Sequence, residues 1–293
     1  MREVCIKAYG KVNLGLDVTG RRPDGYHLVR MIMQTVDLYD DVTVSALTAP
    51  QDQGKIVLTC DDPELPTDSR NLAYKAAELV LAGHGHKVPA GVRIDIVKRI
   101  PAQAGMAGGS ADAAAVIQGL DRCFALHMDQ EEQDRIALQI GADVPFCLRR
   151  GTYLAEGIGE LLTRVSDLAP CYMVIIKPGF GVSTPWAYKR LDQLEIPESS
   201  TAHPDIDGLI KALESKDIIS IAGSMGNILE SAVIESYPEI QRIKDRLVTY
   251  GAVKALMSGS GPTVFGIFNC EEKAQDAFLH LGGGKYGKFK VEF

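Results

Sequence analysis

The sequence has no long apolar run and no sign of a targeting segment. Among its 293 residues the longest unbroken apolar stretch covers only residues 171–176, whereas a membrane-spanning helix requires roughly 18 apolar residues. Residues 1–7 mix charged with apolar side chains and lack the apolar core of a secretory signal. We therefore expect a cytoplasmic protein that has no contact with a membrane.

Positive charge is also scarce. Lysine and arginine total 31 against 38 acidic residues, which gives a formal net charge of −7 and a pI near 5.4. Binding to a nucleic-acid backbone needs a basic surface that displaces counterions. The composition therefore argues against a nucleic-acid partner, although it is compatible with a local basic pocket for a small anion.

Paired cysteines are missing as well. The 6 cysteines are scattered along the chain, and they form no C-x-x-C motif. Their spacing therefore predicts neither a zinc ribbon nor a redox pair, and we expect buried free thiols.

What remains is typical of a folded globular protein, with 46% hydrophobic and 24% charged residues. At about 150 residues per domain, the length predicts two domains. The polar stretch 157–167 is the candidate linker, and we predict domains at residues 1–160 and 161–293. The local patterns predict a mixed α+β protein without internal repeats. Strands are predicted at residues 4–8, 14–18, 41–45, 55–59, 92–96, 151–155, 171–177, 253–257, 264–268 and 288–293, and helices at residues 71–81, 111–124, 130–140, 184–191, 206–213, 218–229 and 272–281.

A glycine-rich segment, residues 101–111 (PAQAGMAGGSA, the first glycine loop), lies between a predicted strand and a predicted helix. Glycines let backbone N–H groups turn inward and a helix N-terminus adds partial positive charge, and both favour a phosphate. The segment is not a Walker A loop, because no Gly-Lys-Ser/Thr follows, and its glycines do not fit a dinucleotide fingerprint. From composition alone, a tight connection with small packing residues is an open alternative.

Other segments are individually ambiguous. Residues 258–263 (SGSGPT, the second glycine loop) fit either an anion site or a simple turn. Lys11 and Asn13 alternate with apolar neighbours, which places both side chains on one face of a strand, either functional or merely solvated. Asp143 follows a helix and precedes an apolar segment, where a carboxylate can orient a nucleophile or simply cap a turn. Tyr26 and His27 follow a turn, where they can stack on a base or plug the core.

Taken together and in order, these segments indicate one protein family more specifically than any of them does alone. Residues 8–14, 22–27, 101–115, 141–145 and 258–262 resemble, in order, the GHMP small-molecule kinase superfamily. The resemblance covers essentially the whole chain, and the pairing of DGYH at 24–27 with GADVP at 141–145 is its most specific part. It implies an α+β, two-domain GHMP kinase fold, with a ribosomal-protein-S5-like N-terminal domain and a ferredoxin-like C-terminal domain.

The resemblance also implies an enzyme, an ATP-dependent kinase with Mg²⁺ bridging phosphate oxygens. The implied small-molecule acceptor is 4-diphosphocytidyl-2-C-methyl-D-erythritol, phosphorylated on its 2-hydroxyl. Mevalonate or homoserine as acceptor, and a non-catalytic nucleotide-binding relative, are the alternatives. A nicotinamide-dependent dehydrogenase is disfavoured, because an alanine-rich helix stands where a strand ending in an acidic residue would be required. Either a monomer or a homodimer is expected.

The family pattern also assigns roles to individual residues. Asp143 would be the catalytic base, and Lys11 the cation that keeps this carboxylate ionised. Ser110 would contact Mg²⁺, which the ATP phosphates would mainly hold. The substrate would contact Asn13, Tyr26, His27, Thr184 and Tyr188, of which Tyr26, His27 and Tyr188 would recognise the cytosine. ATP would lie near Asn71, Leu72, Lys98, Pro101, Ala102, Gln103, Ala104, Gly105, Met106, Ala107, Gly108, Gly109, Ser110 and Ala111.

Three positions depart from the family pattern. Met106 stands where leucine is usual, Ala107 where glycine is usual, and Ala111 where many members carry a second serine. The missing hydroxyl puts in doubt any phosphate or magnesium contact at position 111. The other two changes preserve size or apolarity, so we expect the loop conformation to survive.

Overall fold

The computed structural model describes residues 3–88, 90–197 and 199–281, and the backbone alone of residues 287–292. The chain forms two compact units that are discontinuous in sequence. Unit 1 comprises Met1–Gly10, Leu38–Ala102 and Ala107–Arg150, and unit 2 comprises Lys11–Asp37, Gln103–Met106 and Gly151–Phe293. This division does not test a domain boundary at residue 160, which stays a prediction.

Helices and strands are mixed along the chain, which confirms the α+β prediction. The strands are β1 (Glu3–Arg21), β2 (His27–Leu47), β3 (Ile56–Cys60), β4 (Gly91–Val97), β5 (Thr152–Glu156), β6 (Leu161–Arg164), β7 (Tyr172–Lys177), β8 (Gly226–Asn227), β9 (Lys254–Met257), β10 (Val264–Phe268) and β11 (Gly287–Glu292). The helices are α1 (Leu72–His84), α2 (Gly108–Phe124), α3 (Gln130–Ile140), α4 (Val144–Arg149), α5 (Thr184–Asp192), α6 (Ile206–Ser215), α7 (Ile218–Ser224), α8 (Leu229–Val233), α9 (Glu239–Thr249) and α10 (Glu271–His280), and short 3-10 turns cover Pro50–Asp52 and Gly85–Lys87.

Unit 1 is a small sheet covered by helices. Strand β3 pairs in parallel with β4, and β4 pairs antiparallel with the second half of β2. Helix α2 packs against α1 and lies directly on the sheet, since a Cβ at Gly119 would approach Val44 Cγ2 to 2.7 Å. Because α2 is rich in buried alanine and glycine, it can lie this close, and its N-terminus is held at a fixed place in the unit.

Unit 2 contains the first part of β2, which pairs antiparallel with β5, and β5 continues into a hairpin with β6. Strand β1 neighbours β2 and pairs in parallel with the short β8, with Gly15 opposite Gly226. A second, antiparallel sheet has the order β11-β7-β10-β9. Strands β7 and β10 are buried along nearly their whole length, as their continuous apolar sequences predict.

Local sequence signals explain where the helices begin. Asp129 caps α3, accepting the Glu132 amide at 2.8 Å, and α3 ends at Gly141 as predicted. Asn71 caps α1 in the same way by accepting the Ala73 amide at 2.9 Å. These side chains supply the acceptors that the first backbone N–H groups of a helix lack within the helix itself.

One local prediction is too short and two are wrong. The strand predicted at 41–45 is confirmed, but it is only part of β2, which also includes the buried polar residue Asp40. The helix predicted at 218–229 is interrupted after Ser224, because Gly226 and Asn227 pair with β1 instead. The stretch 157–167 is not an open linker, since residues 161–164 form β6 of the hairpin.

Two further expectations concern the thiols and the membrane. Among the cysteines, only Cys123 and Cys171 are buried, while Cys5 is exposed and the other three are half-buried. The expectation of buried thiols therefore holds for two positions. Within the described ranges, every helix is too short or too polar to span a bilayer.

Candidate active site

Strand β1 carries two buried polar side chains in unit 2. Lys11 is 5% exposed and Asn13 is fully buried. The Lys11 Nζ donates to Asn13 Oδ1 at 2.6 Å, and Asn13 Nδ2 lies 3.2 Å from Met31 Sδ. The two side chains therefore share one face, as their alternation predicts, and the alternative of a solvated face is wrong. A buried ammonium held beside an amide is suited to meeting an anion that arrives with the substrate.

The two glycine loops meet in unit 2. The Lys11 amide donates to Met106 O at 3.1 Å, and Ser258 Oγ donates to Gly105 O at 2.9 Å. Gly105 has φ +71°, and a Cβ there would lie 2.2 Å from Ser258 O. Only glycine therefore allows this approach, which brings residues 105 and 106 against both β1 and the second glycine loop.

The rest of the first glycine loop opens α2 in unit 1. Ala107, at the N-cap position, has φ 57° and ψ 30°, the left-handed conformation that glycine adopts without strain. The loop therefore keeps a glycine-like conformation at this departure from the family pattern. No side chain caps α2, so the amides of Gly108, Gly109 and Ser110 have no intrahelical acceptor. The Ala111 amide is already bonded to Ala107 O at 2.8 Å.

Lys98 is held within a buried cluster of unit 1. Its Nζ lies 2.5 Å from Asp40 Oδ2 and 2.7 Å from Asp112 Oδ2. Asp40 also accepts the amides of Arg99 and Ile100, at 2.5 Å and 2.8 Å. The ammonium is thus committed to two carboxylates, and any side-chain contact of Lys98 with a nucleotide would have to compete with them.

Burial is the largest single influence on the pKa of both Asp112 and Lys98. It raises the pKa of Asp112 to about 7, opposed by the charge of Lys98 and assisted by that of Asp40. Burial lowers the pKa of Lys98, but the charges of Asp112 and Asp40 outweigh it, so the net shift is upward and the ammonium stays charged. Among the described residues, Asp112 Oδ1 is buried without a hydrogen-bond partner.

Asn71 and Leu72 lie at the start of α1 in the same unit. Asn71 Nδ2 donates to Pro66 O at 2.8 Å, so both ends of its side-chain amide are used in holding the turn. Leu72 approaches α2, because a Cβ at Gly109 would lie 3.6 Å from Leu72 Cδ1. Lys98 also lies close by, with Nζ 3.5 Å from where a Cβ at Gly108 would be. Unit 1 therefore brings Leu72 and Lys98 together with the predicted phosphate-binding turn.

Asp143 occupies the N-cap position of α4 in unit 1 and is half-buried. Its side chain makes no capping hydrogen bond to that helix, so the alternative that Asp143 serves as a helix cap is wrong. Lys11 belongs to unit 2, and its pairing with Asp143 stays a prediction.

His27 and Tyr188 form an aromatic pair in unit 2. Their ring centroids are 4.7 Å apart with an interplanar angle of 28°, and His27 Nε2 lies 2.7 Å from Asp192 Oδ1. Asp192 is one turn beyond Tyr188 on α5, which places both on the same face of the helix. Tyr26 is 62% exposed and lies outside this stack, so the sequence groups it with His27 but the side-chain packing does not.

Thr184 is a predicted substrate contact, and its Oγ1 lies 2.7 Å from Ser260 Oγ, which ties α5 to the second glycine loop. Three carboxylates at these positions were not predicted. Asp40, Asp112 and Asp192 each bind a predicted site residue. Asp112 gives a sequence signal, because it is a carboxylate in an otherwise alanine-rich segment, whereas Asp192 lies among charged and polar residues and gives none. Among the described residues, no group of three or more His, Cys, Asp or Glu side chains is placed to hold a metal ion.

Two family models match the chain. The model of the GHMP kinases N terminal domain matches residues 71–151, which include the first glycine loop and Asp143. The model of the GHMP kinases C terminal domain matches residues 209–283, which include the second glycine loop. The prediction of a two-domain GHMP fold is confirmed.

Curated relatives extend this similarity to nearly the whole chain. A 4-diphosphocytidyl-2-C-methyl-D-erythritol kinase of Lachnospira eligens is 47% identical over 97% of this chain and 96% of its own length. The enzyme of the same name from Acetivibrio thermocellus is 46% identical over 100% of this chain and 99% of its own.

Two solved kinase structures have folds similar to that of this chain. A crystal structure of 4-(cytidine 5'-diphospho)-2C-methyl-D-erythritol kinase has a TM-score of 0.82 at 31% identity and covers 99% of this chain and 98% of that one. A homoserine kinase from Cytophaga hutchinsonii has a TM-score of 0.77 at 22% identity, covering 100% of this chain and 95% of that one. At that identity the second likeness shows the shared fold alone.

Proposed function

Because the chain belongs to the 4-diphosphocytidyl-2-C-methyl-D-erythritol kinases of the GHMP superfamily, we propose that it phosphorylates the 2-hydroxyl of that substrate with ATP. The products are the 2-phosphate and ADP, within the methylerythritol phosphate route to isopentenyl diphosphate. The family models match on either side of residue 160, which supports a domain boundary there.

The observation that carries the choice of acceptor is the stack of His27 on Tyr188, with Asp192 on the imidazole. A planar pair with a hydrogen-bonded edge suits a cytosine ring, which offers both a π-face and polar groups. Mevalonate and homoserine carry no ring that would use these groups. The pair therefore supports a cytidyl substrate over the two alternatives.

The phosphates of ATP would lie at the start of α2. There the uncapped amides of Gly108, Gly109 and Ser110 and the helix dipole favour negative charge. Mg²⁺ would neutralise phosphate charge when bound. Ser110 would offer it a hydroxyl, and because the described part of the chain contains no cluster of three or more His, Cys, Asp or Glu side chains, the phosphate oxygens would supply most ligands.

In the transfer step, the 2-hydroxyl oxygen forms a bond to the γ-phosphorus, and the bond to the bridging oxygen of ADP breaks. Asp143 takes the hydroxyl proton. Lys11 donates to the developing charge, and Asn13 holds both the ammonium and the hydroxyl in place. Such positioning and charge neutralisation supply most of the catalysis in phosphoryl transfer.

The first test is magnesium-dependent ADP release by the purified chain with the cytidyl substrate, mevalonate, homoserine or no acceptor. We expect stimulation by the cytidyl substrate alone. Stimulation by mevalonate or homoserine instead would refute the choice of acceptor, and no stimulation by any of them would favour a non-catalytic relative.

The assigned base is tested by Asp143→Asn, which should lower kcat by orders of magnitude while the protein stays folded. Asp245→Asn is the matched control, because it makes the same charge change on the exposed face of α9. Equal kcat values for Asp143→Asn and the wild-type chain would contradict the role of Asp143.

The base site is tested by Tyr188→Leu, which removes the ring. Since base stacking is worth about 1–3 kcal/mol, KM for the cytidyl substrate should rise about five- to hundredfold. Tyr188→Phe keeps the ring and should leave KM near the wild-type value. If both variants keep the wild-type KM, the stacked pair is not the cytosine site.

A further inference from the structure

Asn227 is a buried polar residue that the mechanism above does not use. It is 6% exposed and lies in β8, the two-residue strand that interrupts the helix predicted at 218–229. Its amide donates one hydrogen to the residue before the second glycine loop and the other to the loop itself: Nδ2 lies 2.8 Å from Met257 O and 2.8 Å from Gly259 O. Its Oδ1 accepts the Leu229 amide at 3.0 Å.

Asn227 is also joined to the strand that carries Lys11 and Asn13. Gly226 and Asn227 pair with Gly15 and Leu16 of β1, and the Ile228 amide donates to Leu16 O at 3.0 Å. One short segment therefore bonds β1 on one side and the second glycine loop on the other.

Glu230, in the same segment, also bonds the residue that precedes the second glycine loop. Its Oε1 accepts the Met257 amide at 2.8 Å, and its Oε2 accepts Lys244 Nζ at 2.5 Å. The last residue of β9 is thereby held at both its carbonyl and its amide by side chains of residues 227–230. This fixes the point from which the second glycine loop starts.

The loop held in this way touches the proposed site. A Cβ at Gly259 would lie 3.4 Å from Asn13 Oδ1, Ser258 Oγ donates to Gly105 O, and Ser260 Oγ lies 2.7 Å from Thr184 Oγ1. We propose that Asn227 is a positioning residue for phosphoryl transfer, which sets the second glycine loop against Asn13 and the first glycine loop. This inference rests on the proposed function.

Asn227→Asp is the sharpest variant, because it keeps the size and the acceptor for Leu229 but turns an oxygen toward two carbonyl oxygens. A misplacement of about 1 Å can cost on the order of 10²-fold in rate, so kcat should fall about 10- to 100-fold. The affinity for CDP should fall less than kcat, because His27, Tyr188 and Asp192 contact one another directly, whereas α5 meets the second glycine loop at Thr184, one turn before Tyr188.

Two further measurements separate positioning from general destabilisation. Leu58→Ala removes a buried side chain of β3, a strand of unit 1 that pairs with β4, and serves as the stability-matched control with kcat expected within about threefold of wild type. Hydrogen exchange of the Ser258 and Gly261 amides, which bond Thr263 O and Ser258 O, should accelerate at least about tenfold in Asn227→Asp, while the amides of β10 stay protected.

A wild-type kcat in Asn227→Asp, an equal loss in Leu58→Ala at the same Tm, or unchanged exchange of the loop amides would overturn the inference. A wild-type chain that turns over no acceptor would instead refute the proposed function. That result would also refute a role of Asn227 in phosphoryl transfer, whereas the exchange measurement would still decide whether Asn227 anchors the second glycine loop.

Discussion

Replacing Lys98 with methionine should strongly destabilise the protein, because it leaves two buried carboxylates without their cation. The Lys98 side chain is 8% exposed, and those of Asp40 and Asp112 are 0% and 4% exposed. Removing one partner of such a buried pair costs about 3–5 kcal/mol. We therefore expect Lys98→Met to lower the free energy of unfolding by about that amount at pH 8.

The loss should depend on pH with a definite sign. Without the ammonium, burial and repulsion from the Asp40 carboxylate hold the folded-state pKa of Asp112 above the unfolded value of about 4. The folded variant then binds protons that the unfolded chain has released, so its stability falls as the pH rises through this interval. In the wild-type protein, burial raises the pKa of Asp112 to about 7, so the stability of that protein also falls as the pH rises. The difference between Lys98→Met and wild type should therefore be larger at pH 8 than at pH 5.

Urea unfolding followed by circular dichroism at pH 5 and pH 8 measures both effects. Lys55→Met is the matched control, since its pair with Asp52 is exposed and worth about 0–1 kcal/mol. Adding Asp112→Asn to Lys98→Met removes one of the two unpaired carboxylates and should recover part of the loss. A loss below about 1 kcal/mol at pH 8, or equal losses at both pH values, would refute the reasoning.

Two further predictions concern the first glycine loop and a buried thiol. Gly105→Ala places a Cβ 2.2 Å from Ser258 O at a left-handed φ, so it should lower the free energy of unfolding in urea by about 2–4 kcal/mol. Gly83→Ala in α1 is the control, because its Cβ meets no atom within 4 Å and the change should be neutral or stabilising. Equal effects of the two variants would contradict the close approach of Gly105 to Ser258. Burial raises the pKa of Cys171 to about 12, so at pH 8 a thiol reagent should label the exposed Cys5 first, and mass spectrometry that found Cys171 labelled as fast in the native protein would contradict its burial.

The sequence predicts best where one local signal decides the outcome. Helix α3 matches its prediction at both ends, because Asp129 caps it and Gly141 ends it. Strands β7 and β10 match because a short, fully apolar run has few alternatives. For the same reason, the alternation of Lys11 and Asn13 was enough to place both on one face.

The features that local patterns do not predict depend on partners distant in sequence. Asp40 lies inside β2 because Lys98 and two backbone amides, about 60 residues away, satisfy its carboxylate. Asn227 ends a helical pattern because β1 offers it a strand partner. In the candidate site, Asp192 binds His27 across 165 residues, and Ser260 binds Thr184 across 76. Such pairings cannot be derived from local patterns, because tertiary hydrogen bonds outweigh intrinsic propensity.

The discontinuous make-up of unit 2 has a consequence for synthesis on the ribosome. Asp17 of β1 finds His203 only 186 residues later, and at 5–20 residues per second that separation takes about 10–40 s to translate. Strand β2 follows β1 directly in the chain, but the other edge of β1, which later pairs with Gly226 and Asn227, stays open throughout this interval and can pair with other nascent chains. Vectorial synthesis therefore leaves this edge of β1 open to misassociation, whereas rapid dilution from denaturant releases the whole chain at once and removes the waiting period.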